Sequence, residues 1–196
     1  MWRSRGQQAR ALGDFFRVED THFTAIYTSD LKRAVATAEA IRNSQGDPKP
    51  SSEPSKIFRE QKFDDAEGKP KASEVDAALT LEELIEKRVY PVLRGYKEKF
   101  PNGESAKDLN ERAKTAHAKF VLPHVFQAAK EGKTGIHIAI VSHGLCISAM
   151  IYELLKMNTV QGGATNSESW TDCLGLLNTA WTRVVVDTIE VGSREI

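Results

Sequence analysis

The chain has 196 residues, 40% hydrophobic and 28% charged, with 27 basic side chains against 27 acidic ones. Length and composition suit one α/β domain with a sizeable core, spanning 1–196. The zero net charge excludes a globally basic nucleic-acid or anionic-membrane binder and leaves only a local basic pocket.

Gln7 to Phe16 reads as a short helix with Ala11, Leu12, Phe15 and Phe16 on its apolar face. Thr24 to Thr28 reads as a strand ending at Ser29-Asp30, both good N-cap residues for the helix after it. In that helix Leu31, Ala34, Val35, Ala38 and Ile41 recur at helical spacing, and it should stop near Gly46. Residues 43–56, rich in Ser and Pro, read as a loop, and 61–78 as an irregular excursion with one helical turn. Leu81 to Phe100 carries a helical pattern broken or kinked at Pro91, followed by a turn at Pro101-Asn102-Gly103. Ser105 and Asp108 form a capping box that opens a long helix toward Lys130.

Ile136 to Val141 is a continuous apolar run broken only by His137, suited to a strand buried on both faces. Gly144 opens an apolar helix to about Lys156, 159–172 is a polar loop, and Trp181 to Ile189 reads as a last β-branched strand. Strands alternating with helices predict a three-layer α/β/α fold with a mostly parallel sheet. No run is long enough to span a bilayer, and Met1 to Gly6 has no secretory-signal pattern, so no membrane partner is expected. Two cysteines without metal or redox spacing, Cys146 and Cys173, favour a reducing, cytoplasmic setting.

Ligands of open parallel sheets lie beyond the carboxyl ends of the strands. Two such ends are polar here and lead into helices: Ser29-Asp30-Leu31-Lys32-Arg33 and Ser142-His143-Gly144. A helix N-terminus suits a phosphate, Arg33 could add a forked permanent charge, and His143 could donate a hydrogen bond or exchange a proton. Taken singly, each is more often a structural or solvated residue. Asp64-Asp65 lacks a third ligand for a metal, and Gly132-Lys133-Thr134 precedes a strand where a phosphate loop would follow one.

A set of short segments, in order along nearly the whole chain, resembles the histidine phosphatase superfamily, the phosphoglycerate-mutase-like fold. The segments are Arg5 to Ala9 with Leu12-Gly13; Tyr27 to Ala34 with Thr37-Ala38; Phe58 to Phe63 with Glu67-Gly68; Pro101 to Ser105 with Arg112; Val141 to Gly144; and Asn178 to Trp181. The resemblance implies that Arg33, His143 and Gly144 bind phosphate. It also implies that His143 and Glu60 are catalytic, with Glu60 protonating the leaving oxygen. A glutamate in that role must carry a proton, which partial burial and a neighbouring phosphate dianion favour. Glu104 and Arg112 are expected to be structural. No metal or cofactor is implied. Partners would be a small phosphorylated substrate or inorganic phosphate, with no nucleic acid, and a homodimer is compatible with the reading.

The sequence departs from the family pattern twice. No Arg-His-Gly tripeptide occurs, so the family's phosphate-accepting histidine has no counterpart. The resemblance therefore implies a domain incomplete at its N-terminus, lacking its first strand. His22, His117, His124 and His137 match no family motif position and read as structural. Second, Asp64 follows Phe63 where the family commonly has Gly, a place for an unusual backbone angle that Asp tolerates second best. The expected parent is a phosphatase acting on a small phosphorylated metabolite through phosphohistidine, with this chain impaired. A non-catalytic phospholigand binder and a phosphoglycerate mutase are the alternatives.

Overall fold

The computed structural model describes residues 4–72, 74–93, 95–158 and 178–186. The chain runs α1 (Arg5–Val18), β1 (Phe23–Ser29), α2 (Lys32–Ser44), β2 (Ser51–Ser55), β3 (Lys71–Ala72), α3 (Leu81–Glu86) and β4 (Tyr90–Pro91). It continues through α4 (Ala106–Ala116), α5 (Leu122–Glu131), β5 (His137–Val141) and α6 (Gly144–Asn158). β1 is the central strand of a parallel sheet in the order β2-β1-β5. Alternation along the strands divides the core into two layers. Ile26, Ala139 and Val141 meet Phe16, Ala38 and Ile41 from α1 and α2. Tyr27 and Ile140 meet Phe58, Leu109, Ala113, Phe120, Cys146 and Met150 on the other face. The expected α/β/α layering with a parallel sheet is what forms. Burying Ile26 and Phe58 completely contributes about 2–3 kcal/mol each.

α1 lies unusually close to α2. A Cβ added at Gly13 would stand 2.6 Å from the Ala40 carbonyl oxygen, so only glycine permits that approach. The Ser105–Asp108 capping box forms, with Asp108 Oδ2 accepting the Ser105 N–H and Ser105 Oγ accepting the Asp108 N–H. The long helix after it is interrupted by a π turn at His117–Val121. Pro123 sits in the first turn of α5 and has no N–H to donate, and the wider turn before it relieves its clash with the preceding turn.

Several expectations fail. Within 43–56, Ser51–Ser55 forms β2, an edge strand among the described residues, where Pro54 is tolerated because it has no neighbour there on one side of the ladder. The helical pattern of 81–100 ends at Glu86. Arg88 turns into the left-handed region at φ 57°, and Tyr90–Pro91 pairs with β3 instead. Neither Ser29 nor Asp30 caps α2: the N-cap is Leu31, without a side-chain bond, and Asp30 pairs with Arg59. β5 is half-buried throughout, not buried on both faces. Its outer edge carries no partner strand among the described residues and faces a groove of about 1830 Å³. Residues 181–186 form no ladder, since an extended segment becomes a strand only where a neighbour offers N–H and C=O groups. Trp181 packs on Phe15 and Phe16 instead. Residues 187–189 of that expected strand, the loop 159–172 and Cys173 lie outside the described residues. Among the described residues, no helix is long and apolar enough to cross a membrane.

Asp64 has φ 49°, the left-handed conformation expected where the family has glycine, and its carboxylate pairs with Lys62 at 3.0 Å. Phe63, Ala66, Leu81, Ile85, Tyr90, Leu93 and Phe100 gather into a third, smaller cluster under this excursion.

Candidate active site

The sheet order places the carboxyl ends of β2, β1 and β5 side by side. β1 ends at Ser29 and β5 leads into His143, while the segment after β2 carries Glu60. Arg33, in the first turn of α2, donates from Nε to His143 Nδ1 at 3.2 Å. A guanidinium only donates, so Nδ1 accepts and the ring proton lies on Nε2. Nε2 in turn donates to Ser29 Oγ at 2.9 Å. Ser29 is fully buried and also accepts the Leu31 N–H at 3.3 Å. His143 is 8% exposed. Burial first, then the Arg33 and Arg112 charges, lower its pKa from 6.5 to about 4, so the imidazole is neutral at neutral pH.

Glu60 reaches the same place from the other side. Its carboxylate accepts from the N–H groups of Leu145 at 3.4 Å and Cys146 at 3.2 Å, in the first turn of α6, and from Gln61 N–H at 3.0 Å. The positive end of α6 is thus partly taken by a side-chain carboxyl group, an arrangement the sequence did not suggest. Gly144 stands at the head of that turn, its would-be Cβ 4.0 Å from Glu60 Oε2. Arg33, Glu60, His143 and Gly144 all line one cavity, the groove that continues along β5.

Arg112 organises the segment that carries Glu60. Its guanidinium pairs with Glu104 through Nε to Oε1 (2.9 Å) and Nη2 to Oε2 (2.8 Å). It also donates to the carbonyls of Ile57 and Arg59, both at 2.7 Å, and of Glu60 at 3.3 Å. Ser142 Oγ adds a bond to the Phe58 carbonyl at 2.7 Å, tying the β5 tip to the same segment. The structural expectation for Glu104 and Arg112 understated them, because three converging carbonyls are a tertiary feature. The Asp30–Arg59 fork, at 2.6 and 2.7 Å, was also not legible, since the two residues are 29 positions apart and on no common periodic face.

The other histidines stand apart from Arg33 and His143, although His117, His124 and His137 line the same long groove. His22 bonds the exposed Asp20, and His124 bonds the Tyr27 hydroxyl. His117 is buried with Nε2 on the Met150 carbonyl, and His137 begins β5, at the end of the strand away from His143. Burial pushes the Cys146 thiol up, which leaves it protonated and inert.

Fold and site together define a doubly wound α/β protein whose strand tips bring Arg33, Glu60, His143 and Gly144 together as a polar cradle. The chain belongs to the histidine phosphatase superfamily, branch 1, whose family profile matches residues 5–171. It is 26% identical over 148 residues to a phosphoglycerate mutase of Schizosaccharomyces pombe, covering 76% of this chain and 64% of that one. It is 31% identical over 137 residues to the 2,3-bisphosphoglycerate-dependent phosphoglycerate mutase of Cytophaga hutchinsonii, covering 70% and 58%. The chain thus spans less than two thirds of these curated relatives. In fold it resembles a mycobacterial glucosyl-3-phosphoglycerate phosphatase, with TM-score 0.54, 21% identity, and 77% and 66% of the two chains covered. It likewise resembles the ecdysone phosphate phosphatase of Bombix mori, with TM-score 0.52, 16% identity, and 93% and 64% covered.

Proposed function

We propose that the cradle binds the phosphoryl group of a small phosphorylated metabolite, or inorganic phosphate. Arg33 and His143 hold the oxyanion, and the N–H of Gly144 faces it from the head of α6. The observation that carries this reading is the Arg33–His143 contact across two adjacent strand tips. The contact puts a buried imidazole and a guanidinium close enough to share one anion once Arg33 turns its N–H groups to it and Nδ1 carries a proton. Glu60, held beside them by Arg112, is proposed as the group that hands a proton to the leaving oxygen. The parent activity we infer is phosphatase or phosphomutase chemistry through a phosphohistidine, in the cytoplasm. For this chain we propose binding without efficient turnover, since its sequence contains no Arg-His-Gly, His22, His117 and His124 bond other groups, and His137 stands at the far end of β5.

Calorimetric titration with inorganic phosphate, beside p-nitrophenyl phosphate hydrolysis, tests both parts. Phosphate should bind, and Arg33→Ala or His143→Ala should each weaken it by about tenfold or more, the worth of one charge-assisted hydrogen bond. Hydrolysis should be undetectable in all three proteins. Turnover that disappears in His143→Ala would overturn the non-catalytic part. Phosphate affinity unchanged in both variants would overturn the site itself.

A further inference from the structure

His143 cannot serve an oxyanion in the state seen here. Nδ1, the nitrogen that faces Arg33, is an acceptor, and two acceptors repel. For an anion to take the place of the Arg33 contact, Nδ1 must carry a proton. The ring can achieve this in two ways: it can gain a second proton and become cationic, or it can move its one proton from Nε2 to Nδ1. Its surroundings oppose the first route. Arg33 from α2 and Arg112 from α4 both raise the cost of a positive ring, and the Glu60 carboxylate, in the segment after β2, is already held by N–H groups of α6. The second route needs a partner on Nε2 that can reverse its role. A carboxylate or a carbonyl could not, because each only accepts, whereas a hydroxyl both accepts and donates. The group on Nε2 is the hydroxyl of Ser29, fully buried at 2.9 Å.

We propose that Ser29 is the positioning residue for a tautomer exchange at His143 that accompanies oxyanion binding. In the empty site Nε2–H donates to Ser29 Oγ and Nδ1 accepts from Arg33. When the anion arrives, Arg33 turns its N–H groups to it. The ring proton leaves Nε2 for water and one is taken up on Nδ1, which then donates to an anion oxygen. Ser29 rotates its O–H to donate to the bare Nε2. The ring's charge and proton count are the same before and after. The backbone supports this: the Leu31 N–H stays on Ser29 Oγ and fixes the oxygen while its hydrogen turns.

This inference rests on the proposed phosphate site, and one experiment separates the two. The unmodified chain, labelled with ¹⁵N-histidine, is measured by long-range proton–nitrogen correlation without and with saturating inorganic phosphate. The His143 signals are assigned by their loss in His143→Ala. The expected result is a pyridine-like Nδ1 and a pyrrole-like Nε2 in the empty protein, and the reverse with phosphate. In Ser29→Ala, which removes the donor for Nε2, phosphate should bind about tenfold more weakly and the reversal should be lost. If phosphate binds, in an Arg33-dependent way, while Nε2 keeps its proton, the tautomer exchange is wrong and the phosphate site stands. An Nδ1 already protonated in the empty protein also overturns the exchange. If phosphate binds nowhere and leaves His143 unmoved, both fall.

Discussion

Arg112 is the side chain whose loss should matter most to the architecture of the site. It satisfies three backbone carbonyls and one carboxylate from a largely buried position, 17% exposed, and no other side chain of similar length can copy its fork. Arg112→Lys keeps the charge but leaves several of these acceptors unpaired, and should destabilise the fold by about 2–4 kcal/mol, read as a shift of the urea midpoint. A shift worth less than about 1 kcal/mol would mean that water can substitute for the clamp. His143 gives a prediction in pH. Its folded pKa is lowered to about 4 from 6.5, so as pH falls the unfolded chain takes up the proton first. The stability tied to a neutral ring is full above the unfolded value and is lost as pH falls through about 4, a change of up to about 3 kcal/mol. Buried His117, also lowered, acts in the same direction. His143→Asn should flatten the dependence of unfolding midpoint on pH across that window. An unchanged profile would show that the ring is more hydrated than its burial indicates.

Among elements, the α1–α2 contact shows how packing overrides local preference. On helix propensity alone, Gly13→Ala should stabilise α1 by about 1 kcal/mol. The added Cβ would stand 2.6 Å from a backbone oxygen, and overpacking of that kind costs about 1–3 kcal/mol, so the net change should be destabilising. Thermal unfolding decides it, since a higher midpoint would mean that α1 slides without loss. The π turn before α5 belongs to the same scale. The long helix expected toward Lys130 is broken here, in the turn before Pro123, where His117 is brought inward onto the Met150 carbonyl.

At the scale of the molecule, the sheet has one strand paired on both sides and two paired on one side among the described residues. β1 should therefore hold the slowest-exchanging amides, and the β5 amides not directed at β1 should exchange at least about tenfold faster. Native-state hydrogen exchange checks this, and equal protection along both edges of β5 would mean that the groove is occupied in solution. The same groove runs into the cradle, so whatever orders β5 also bears on His143 at its end.

The sequence by itself determined the layered α/β plan, helices overlapping α1, α2, α4 and α6, though not the break after Ala116, and the two strands whose tips carry Arg33 and His143. Those features rest on local periodicity and caps, which neighbouring residues dictate. The ordered motifs also determined the family and marked Asp64 as a departure from it, while the left-handed angle that Asp64 takes was read only from the backbone. Only the tertiary structure decided that Ser51–Ser55 is a strand and that 181–186 is not, because a ladder depends on what lies alongside. It alone decided that Glu60 caps α6, that Arg112 gathers the carbonyls of residues 57, 59 and 60, and that His143 Nε2 bonds the Ser29 hydroxyl. These contacts join residues 52 to 114 positions apart, and their geometry comes from the packing of the sheet and its helices, which no local pattern encodes.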